Sequence, residues 1–287
     1  GEVAEVRGLS VAIRGVPARV TAIVLIGSRM PAEVVALQGE LATCLPMGAI
    51  TGIGAGDRVL ATGRSMSIAV GEELLGRVLD GLGRPLNGSR LPAGLARVGV
   101  DARPPDAMTR RRVDTALPLG VRAIDTLTPV GRGQRMGIFA GSGVGKSTLL
   151  SMLARSTAFD TVVIALVGER GREVREFLEG PLAENLPRSV TVVSTGDESP
   201  MMRRLALLSA TSVAEYFRDR GESVLLIADS VTRYAHAARD VALAAGEPAV
   251  ARGYTPSVFS DLPKILERAG PGRKGSGSIT GVFAVLV

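Results

Sequence analysis

The chain has 287 residues, of which 46% are hydrophobic and 22% charged, and its formal net charge is +6. This balance is typical of a folded globular protein and excludes a disordered, collagenous or fibrous chain. Apolar runs such as 162–167 and 279–287 are shorter than the roughly 18 residues that indicate a membrane span. The single cysteine, Cys44, cannot form an internal disulfide, so we expect a cytoplasmic protein that does not cross a bilayer.

The basic excess consists almost entirely of arginine, because the chain has only three lysines, Lys146, Lys264 and Lys274. Such an excess can indicate a nucleic-acid or acidic-lipid partner. However, only 3% of the residues are aromatic, and binders of single-stranded nucleic acid stack bases on aromatic side chains. We therefore attribute the arginine excess to the general amino-acid usage of the chain rather than to binding of nucleic acid. A short run of charge in a loop is more often solvated than bound to phosphate, so we predict that residues 110–112, three consecutive arginines, lie solvated in a loop.

Residues 1–67 predict a small all-β domain. Short apolar or alternating runs occupy 9–13, 18–26, 33–37, 40–45 and 58–62, and turn residues such as Gln38-Gly39 separate them. This pattern is typical of a small sandwich or barrel. The segments that follow are punctuated by glycine, and residues 101–112 are predicted to be irregular.

After about residue 130 the pattern changes to apolar strand, glycine turn and helix. Near-continuous apolar runs at 136–140, 161–167, 190–193 and 224–228 predict strands that are buried on both faces. Ser199-Pro200 predicts the N-terminus of a helix that ends at Gly221. The alternation predicts an α/β fold with a mostly parallel sheet between helices.

Residues 140–148, AGSGVGKST, lie between the strand predicted at 136–140 and an apolar helix. Glycines let the backbone amides face a phosphate, and the following helix directs its positive end toward the same point. The consensus asks for glycine where Ala140 stands, so a tight turn without a ligand is the alternative. We predict that Lys146 reaches the β and γ phosphates and that Ser147 supplies a hydroxyl to Mg²⁺. The predicted nucleotide-binding residues are Gly141, Ser142, Gly143, Val144, Gly145, Lys146, Ser147 and Thr148.

Acidic residues follow two of the other predicted strands. Asp229 ends the run 223–229 and is a candidate for holding the water shell of Mg²⁺; its alternative role is the N-cap of the next helix. Glu169 and Arg170 follow the strand 161–167 and emerge at the same edge of the sheet, where ligands bind in α/β folds. We predict that Glu169 orients the attacking water, and that Glu173 and Glu176 face solvent.

These motifs, together with DSVTRYA at 229–235, GEP at 246–248 and RGYTPSVF at 252–259, resemble the ATPases of type III protein export. These enzymes are relatives of the rotary ATP synthase catalytic subunit. The resemblance covers nearly the whole chain, and the alanine at 140 is usual in that family. The sequences at 237–241 and 260–263 look more like the flagellar branch than the virulence injectisome branch.

The resemblance implies a RecA-like P-loop NTPase core over residues 68–287, preceded by a small N-terminal β-barrel over residues 1–67. It implies Mg²⁺-dependent ATP hydrolysis that energises protein export by unfolding cargo and releasing it from chaperones. By matching position, Lys146 and Ser147 bind phosphate and Mg²⁺, and Asp229 is the second, acidic Mg²⁺ group. In the same way Glu169 activates water, while Arg170 and Arg233 steady charge near the terminal phosphate.

The resemblance also implies a homohexamer whose partners are a stator or regulator protein, a coiled-coil stalk, the export gate and cargo–chaperone complexes. Its location would be cytoplasmic, peripheral to the inner face of the cytoplasmic membrane, with no nucleic-acid partner. The family's C-terminal helical domain and arginine finger match nothing in residues 68–287. We therefore expect this chain alone to be largely monomeric, and Arg252 and Arg268 to be the first candidates for the catalytic arginine should it be fully active.

Two other functions remain open. The first is a subunit of a rotary proton-translocating ATP synthase, which would have the same fold and chemistry but a membrane rotor as its partner. The second is a hexameric RNA translocase of the transcription-termination type, in which the arginine excess would be functional.

Overall fold

A computed structural model describes residues 1–141, 143–180 and 182–287. The chain begins with a six-stranded antiparallel sheet whose spatial order is first, second, fifth, fourth, third and sixth. Its strands are β1 (Glu2–Arg7), β2 (Ser10–Arg14), β3 (Ala22–Ile26), β4 (Met30–Gln38), β5 (Leu41–Pro46) and β6 (Val59–Ser65).

The strand pattern predicted for the first 67 residues is confirmed with small changes of boundary. The run predicted at 18–26 forms a strand only over Ala22–Ile26, and Glu2–Arg7 adds a strand that the apolar runs did not indicate. Gly39 adopts a φ of +60° between β4 and β5, which confirms the predicted turn. Alternate residues such as Val11, Ile13 and Val24 form the apolar core of this sheet.

Short elements connect this sheet to the rest of the chain. They are β7 (Ser67–Val70), β8 (Val78–Leu79), β9 (Ala96–Gly99), β10 (Ala116–Leu117), α1 (Arg122–Leu127) and β11 (Val130–Gly131), with a 3-10 turn at Glu72–Leu74. Strand β7 pairs with β9, and β10 pairs with β11, both antiparallel.

The prediction that residues 110–112 form a solvated run is wrong for Arg110, whereas Arg111 and Arg112 are exposed as predicted. Residues 101–112 lie outside helices and strands, as predicted. However, Arg110 lies 3.1 Å from a carboxylate oxygen of Glu267 and is only 15% exposed. Arg111 donates to the backbone oxygen of Ser276 at 2.8 Å. These guanidinium groups therefore fasten the irregular segment to the far end of the chain.

A seven-stranded sheet lies at the centre of the remaining chain. It contains β8 together with β12 (Arg135–Ala140), β13 (Thr161–Glu169), β14 (Ser189–Thr195), β15 (Ser223–Asp229), β16 (Gly270–Pro271) and β17 (Ser278–Leu286). The order is β8, β14, β13, β15, β17 and β12, with every neighbouring pair parallel. Strand β16 pairs antiparallel with β17. The predicted α/β fold with a mostly parallel sheet is confirmed.

Helices cover both faces of this sheet. They are α2 (Lys146–Ala154), α3 (Gly171–Glu179), α4 (Pro200–Asp219), α5 (Val231–Ala244) and α6 (Pro256–Arg268), with a 3-10 turn at Ala183–Arg188. Alternate residues of β13 belong to different cores, because successive strand residues point to opposite faces. Val163 packs in the core that contains α4 to α6, whereas Ile164 packs in the core that contains α1 to α3.

The long helix α4 begins as the sequence predicts. The hydroxyl oxygen of Ser199 accepts a hydrogen bond from the backbone N–H of Met202 at 3.3 Å, and Pro200 occupies the first helical position. Within the described part of the chain, no helix is both long enough and apolar enough to span a membrane.

Candidate functional site

The glycine-rich loop joins the end of β12 to the start of α2. Gly143 and Gly145 have φ values of +78° and +91°, a region that favours glycine. A Cβ added to either would meet no described atom within 4 Å, so backbone conformation rather than packing requires glycine there. The nine-residue helix α2 begins at Lys146 and directs its N-terminus at this space. Ser142, one of the predicted nucleotide-binding residues, lies outside the described residues.

Lys146 reaches across the edge of the sheet to two carboxylates. Its Nζ donates a hydrogen bond to Asp229 Oδ1 and lies 3.9 Å from Glu169 Oε1. Strands β13 and β15 are parallel neighbours, with Leu166 opposite Asp229, so both carboxylates emerge at the same edge. The side chains are between 7% and 12% exposed. The structure thus brings together three residues that are far apart in the sequence.

Arg233 completes this group from the first turn of α5. Its Nη1 lies 3.2 Å from Glu169 Oε2 and donates to the backbone oxygen of Gly168. Gly168 has a φ of +70°, and a Cβ there would lie 2.9 Å from Arg233 Cδ. Ser230 caps α5, since its hydroxyl accepts from the N–H of Arg233 at 3.3 Å. The side chain of Asp229 therefore does not serve as the N-cap, which was its alternative role.

The environment of Glu169 alters its acidity. Burial has the largest effect, followed by a hydrogen bond with Glu173 and the charge of Asp229, and together they raise the pKa of Glu169 to about 7. The positive charges of Arg233 and Lys146 act in the opposite direction. A carboxyl group with a pKa of about 7 changes its protonation state near neutral pH.

Arg170 does not join the group in this structure. Its side chain is 85% exposed and lies 3.6 Å from Glu173, at the residue that precedes α3. Arg268 is 3% exposed and donates two hydrogen bonds to Glu215, at 2.9 and 2.6 Å. It is therefore held inside its own chain and does not fit the part of an arginine offered to a neighbour's nucleotide. Arg252, the other candidate, is exposed in the loop before α6.

Lys146, Glu169 and Arg233 border a cleft of about 730 Å³. Sequence reasoning missed that the end of β17 forms one wall, because strand order is not visible in the sequence. The backbone N–H of Leu286 donates to Thr232 Oγ1 at 2.9 Å and so ties this wall to α5. Glu173 and Glu176 are exposed, as predicted, yet both face the cleft. The residues around the cleft are Gly141, Gly143, Gly145, Lys146, Ser147, Thr148, Glu169, Glu173, Glu176, Phe177, Arg233, Leu286 and Val287.

The donor set at this cleft fits Mg²⁺ bound together with a phosphate. Among the described residues, no group of three His, Cys, Asp or Glu side chains is placed to hold a metal by itself. Ser147 offers a hydroxyl in the cleft, and Asp229 offers a carboxylate whose partner here is Lys146. Mg²⁺ prefers oxygen ligands, and it usually keeps several waters while binding one or two carboxylates and the phosphates of a substrate. Such a site needs few protein ligands, and those present are of the right type.

The chain is similar to several curated ATPases. It is 54% identical over 256 residues to the flagellum-specific ATP synthase of Agrobacterium fabrum, which covers 89% of this chain and 54% of that protein. It is 48% identical over 294 residues to the flagellum-specific ATP synthase of Bacillus subtilis, which covers 100% of this chain and 67% of that protein. The type 3 secretion system ATPase of Xanthomonas euvesicatoria is 49% identical over 292 residues, covering 100% of this chain and 66% of that protein. The chain thus spans about half to two thirds of the length of these relatives.

Solved structures and a family model agree with these similarities. The assembled ATPase EscN from the enteropathogenic E. coli type III secretion system matches with a TM-score of 0.93 and 47% identity, covering 100% of this chain and 70% of that chain. A model of the ATP synthase alpha/beta family, nucleotide-binding domain, matches residues 120–287. The chain therefore belongs to the ATP synthase alpha/beta family, whose nucleotide-binding domain it contains.

Proposed function

We propose that this chain carries the ATP-hydrolysing core of a type III protein export ATPase. Its activity would energise the unfolding of cargo and its release from chaperones at the flagellar export apparatus. The convergence of Lys146, Glu169, Asp229 and Arg233 beside an open glycine loop carries the proposal. Identities to the flagellum-specific relatives, 45% to 54%, overlap those to the type 3 secretion ATPases, 49% and 51%. The sequences at 237–241 and 260–263 favour the flagellar branch.

ATP binds, in this proposal, with its phosphates in front of the glycine loop. The amides of residues 141–148 and the N-terminus of α2 hold the phosphate oxygens, and the ammonium group of Lys146 exchanges Asp229 for the β and γ phosphates. Asp229, freed from Lys146, and the hydroxyl of Ser147 would hold Mg²⁺. The metal would neutralise charge on the phosphates.

Glu169 is proposed to orient and polarise the water that attacks the γ phosphate. Its side chain is 11% exposed and projects from the end of β13 beside Lys146 and Arg233. This position supports the proposed role, because both cations are proposed to contact the phosphates. Arg233 steadies negative charge as it develops on the transferred group. Arg170 shares that role only if its side chain turns inward when nucleotide binds, because its present contact is with Glu173.

The domain organisation is also a proposal, with a closed β-barrel over residues 1–67 and a RecA-like core over residues 68–287. Contacts between the first and last strands of the six-stranded sheet support closure. Glu2 forms an antiparallel bridge with Arg58. The N–H of Val3 donates to the oxygen of Asp57 at 2.8 Å, and the N–H of Gly56 donates to the oxygen of Val3 at 2.8 Å. Limited proteolysis tests the boundary, because cleavage near residue 67 should leave two protected pieces.

The whole protein is proposed to act as a homohexamer peripheral to the inner face of the cytoplasmic membrane. A stator or regulator protein, a coiled-coil stalk, the export gate and cargo–chaperone complexes are the proposed partners. EscN supports this view, since its solved structures are of the assembled ATPase and of its complex with the central stalk EscO. Nucleic acid is not a proposed partner.

Phosphate release with Mg²⁺-ATP, measured with and without EDTA, tests the core of the proposal. The same assay distinguishes a protein export ATPase from an RNA translocase when it is run with either a flagellar stalk protein or RNA, beside gel-shift measurements. Stimulation of ATP hydrolysis by RNA that persists at physiological salt would overturn the proposed export function. The family description also favours a second candidate, a rotary proton-translocating ATP synthase subunit, which predicts no stimulation by the flagellar stalk protein.

A further inference from the structure

A second cleft, of about 670 Å³, lies between the six-stranded sheet and the start of α4. Residues 45–51, which end β5 and follow it, form one wall. The segment 197–202, which connects β14 to α4, forms another, and the loop at 80–86 closes a third side. Among the described residues, none borders both this cleft and the nucleotide cleft. We call this second cleft the interdomain groove.

The interdomain groove has an apolar lining. Leu9 and Leu86 stand at its rim and are 49% and 53% exposed. Met47, Met201 and Met202 lie behind its surface, because they belong to the core and are at most 4% exposed. Ala49 is exposed and Ile50 is half-buried in the same lining. These accessible apolar side chains are available to pack against a partner.

The charge of the groove is opposite to that of the chain. Its charged lining consists of four acidic side chains and a single basic one, Arg84. Arg84 already pairs with Asp80 at 2.7 Å, and Asp240 lies 3.0 Å from Arg239. Asp197 and Glu198 form no ion pair with any described residue. The groove therefore carries two uncompensated negative charges in a chain whose net charge is +6.

We propose that the interdomain groove docks a segment of a partner protein that is apolar and basic. Leucine-like side chains of that segment would pack against Leu9, Ile50 and Leu86. Its lysine or arginine side chains would lie beside Asp197 and Glu198. Complementary charge at an interface raises the association rate and suppresses wrong partners. The overall charge of +6 would by itself attract acidic peptides, so a preference for a basic peptide would identify the groove as its cause.

A pair of model peptides provides the test. Both are fluorescein-labelled helical peptides with leucine along one face, and the other face carries lysine in one peptide and glutamate in the other. Fluorescence anisotropy measures their binding to the chain with and without saturating Mg²⁺-ATP. The groove variants are the double charge reversal Asp197→Lys with Glu198→Lys, and the single change Leu86→Ser. Glu40→Lys with Glu184→Lys is the matched control, because it changes the net charge equally at exposed positions away from the groove.

We expect the lysine peptide to bind at least about tenfold more tightly than the glutamate peptide, and the preference to weaken with salt because the groove is open to solvent. The double reversal should abolish or invert this preference, Leu86→Ser should weaken both peptides, and the control pair and Mg²⁺-ATP should leave binding unchanged. Equal or tighter binding of the glutamate peptide would overturn the proposal. So would binding that is insensitive to the groove variants, or light scattering showing that a second copy of the chain fills the groove.

Discussion

The acidity of Glu169 gives the proposed hydrolysis a distinctive pH dependence. Only the ionised carboxylate can accept a proton from the attacking water, and the pKa of Glu169 is raised to about 7. A group with a pKa of about 7 is about 9% ionised at pH 6 and about 91% ionised at pH 8, so kcat/KM should rise about tenfold across that interval. A glutamate with an ordinary pKa of about 4.3 would be almost fully ionised at both pH values and would give a flat profile.

The assay is kcat/KM for Mg²⁺-ATP as a function of pH, because this quantity reports the ionisation of the nucleotide-free enzyme. Glu169→Gln should lose turnover at every pH yet still bind Mg²⁺-ATP in calorimetry, since the amide keeps the shape of the side chain. Lys146→Ala should weaken binding itself, because it removes a cation from the phosphate site. Glu176→Gln, at another carboxylate of the same cleft, is the matched control and should keep the tenfold rise.

Three results would refute this reasoning. A flat profile between pH 6 and pH 8 would show that Glu169 is not the group whose ionisation limits the reaction. A rise that persists in Glu169→Gln would assign the ionisation to another group. Equal loss of nucleotide affinity in Glu169→Gln and Lys146→Ala would show that Glu169 has a structural role.

Further predictions concern stability and packing around the site. The folded state raises the pKa of Glu169 to about 7. The contribution of Glu169 to stability is therefore present at low pH and is lost as the pH rises through about 7. The melting temperature of Glu169→Gln should exceed that of the wild type at pH 8 but not at pH 4. Gly168→Ala should lower kcat/KM about tenfold by displacing Arg233, whose Cδ would lie 2.9 Å from the new Cβ; Gly171→Ala, in open space, should be silent in the same phosphate-release assay. Arg268→Met should lower the free energy of unfolding in urea by about 3 to 5 kcal/mol, because it leaves Glu215 buried without its partner; a loss below about 1 kcal/mol would contradict this.

Much of the fold could be predicted because its strands are long and apolar. The runs at 161–167 and 224–228 lie within the observed strands β13 and β15. A strand that is buried on both faces consists almost entirely of apolar residues, and such a run is visible in the sequence. The order of the strands could not be predicted. Strand β8 has only two residues, too few for any periodicity, yet it pairs with β14. Strand β12 pairs with β17, although the two strands are far apart in the sequence.

The candidate site divides in the same way. Lys146 and Ser147 are indicated by a local motif, and Glu169 and Asp229 by their places at the ends of apolar strands. Arg170 and Arg233 were given the same role, but only Arg233 contacts Glu169. The reason is geometric: successive side chains of an extended backbone point to opposite sides, and Arg170, with a φ of −71° and a ψ of 140°, follows Glu169 directly. Sequence adjacency therefore separated the two side chains.

The contacts of Arg110 and Arg111 with the last part of the chain make residues 101–112 a reporter of whether that part is folded. Trypsin cleaves after arginine, and exposed, mobile chain is its preferred substrate. The guanidinium groups of Arg110 and Arg111 are bound to Glu267 and Ser276. The peptide bonds after these two arginines are therefore protected from trypsin while β16 and β17 keep their place. Arg90, in an exposed stretch after β8, has no such attachment among the described contacts. Cleavage after Arg90 should thus occur in the folded chain. The rate of cleavage after Arg110 or Arg111 should instead report how fast the last strands detach from the sheet.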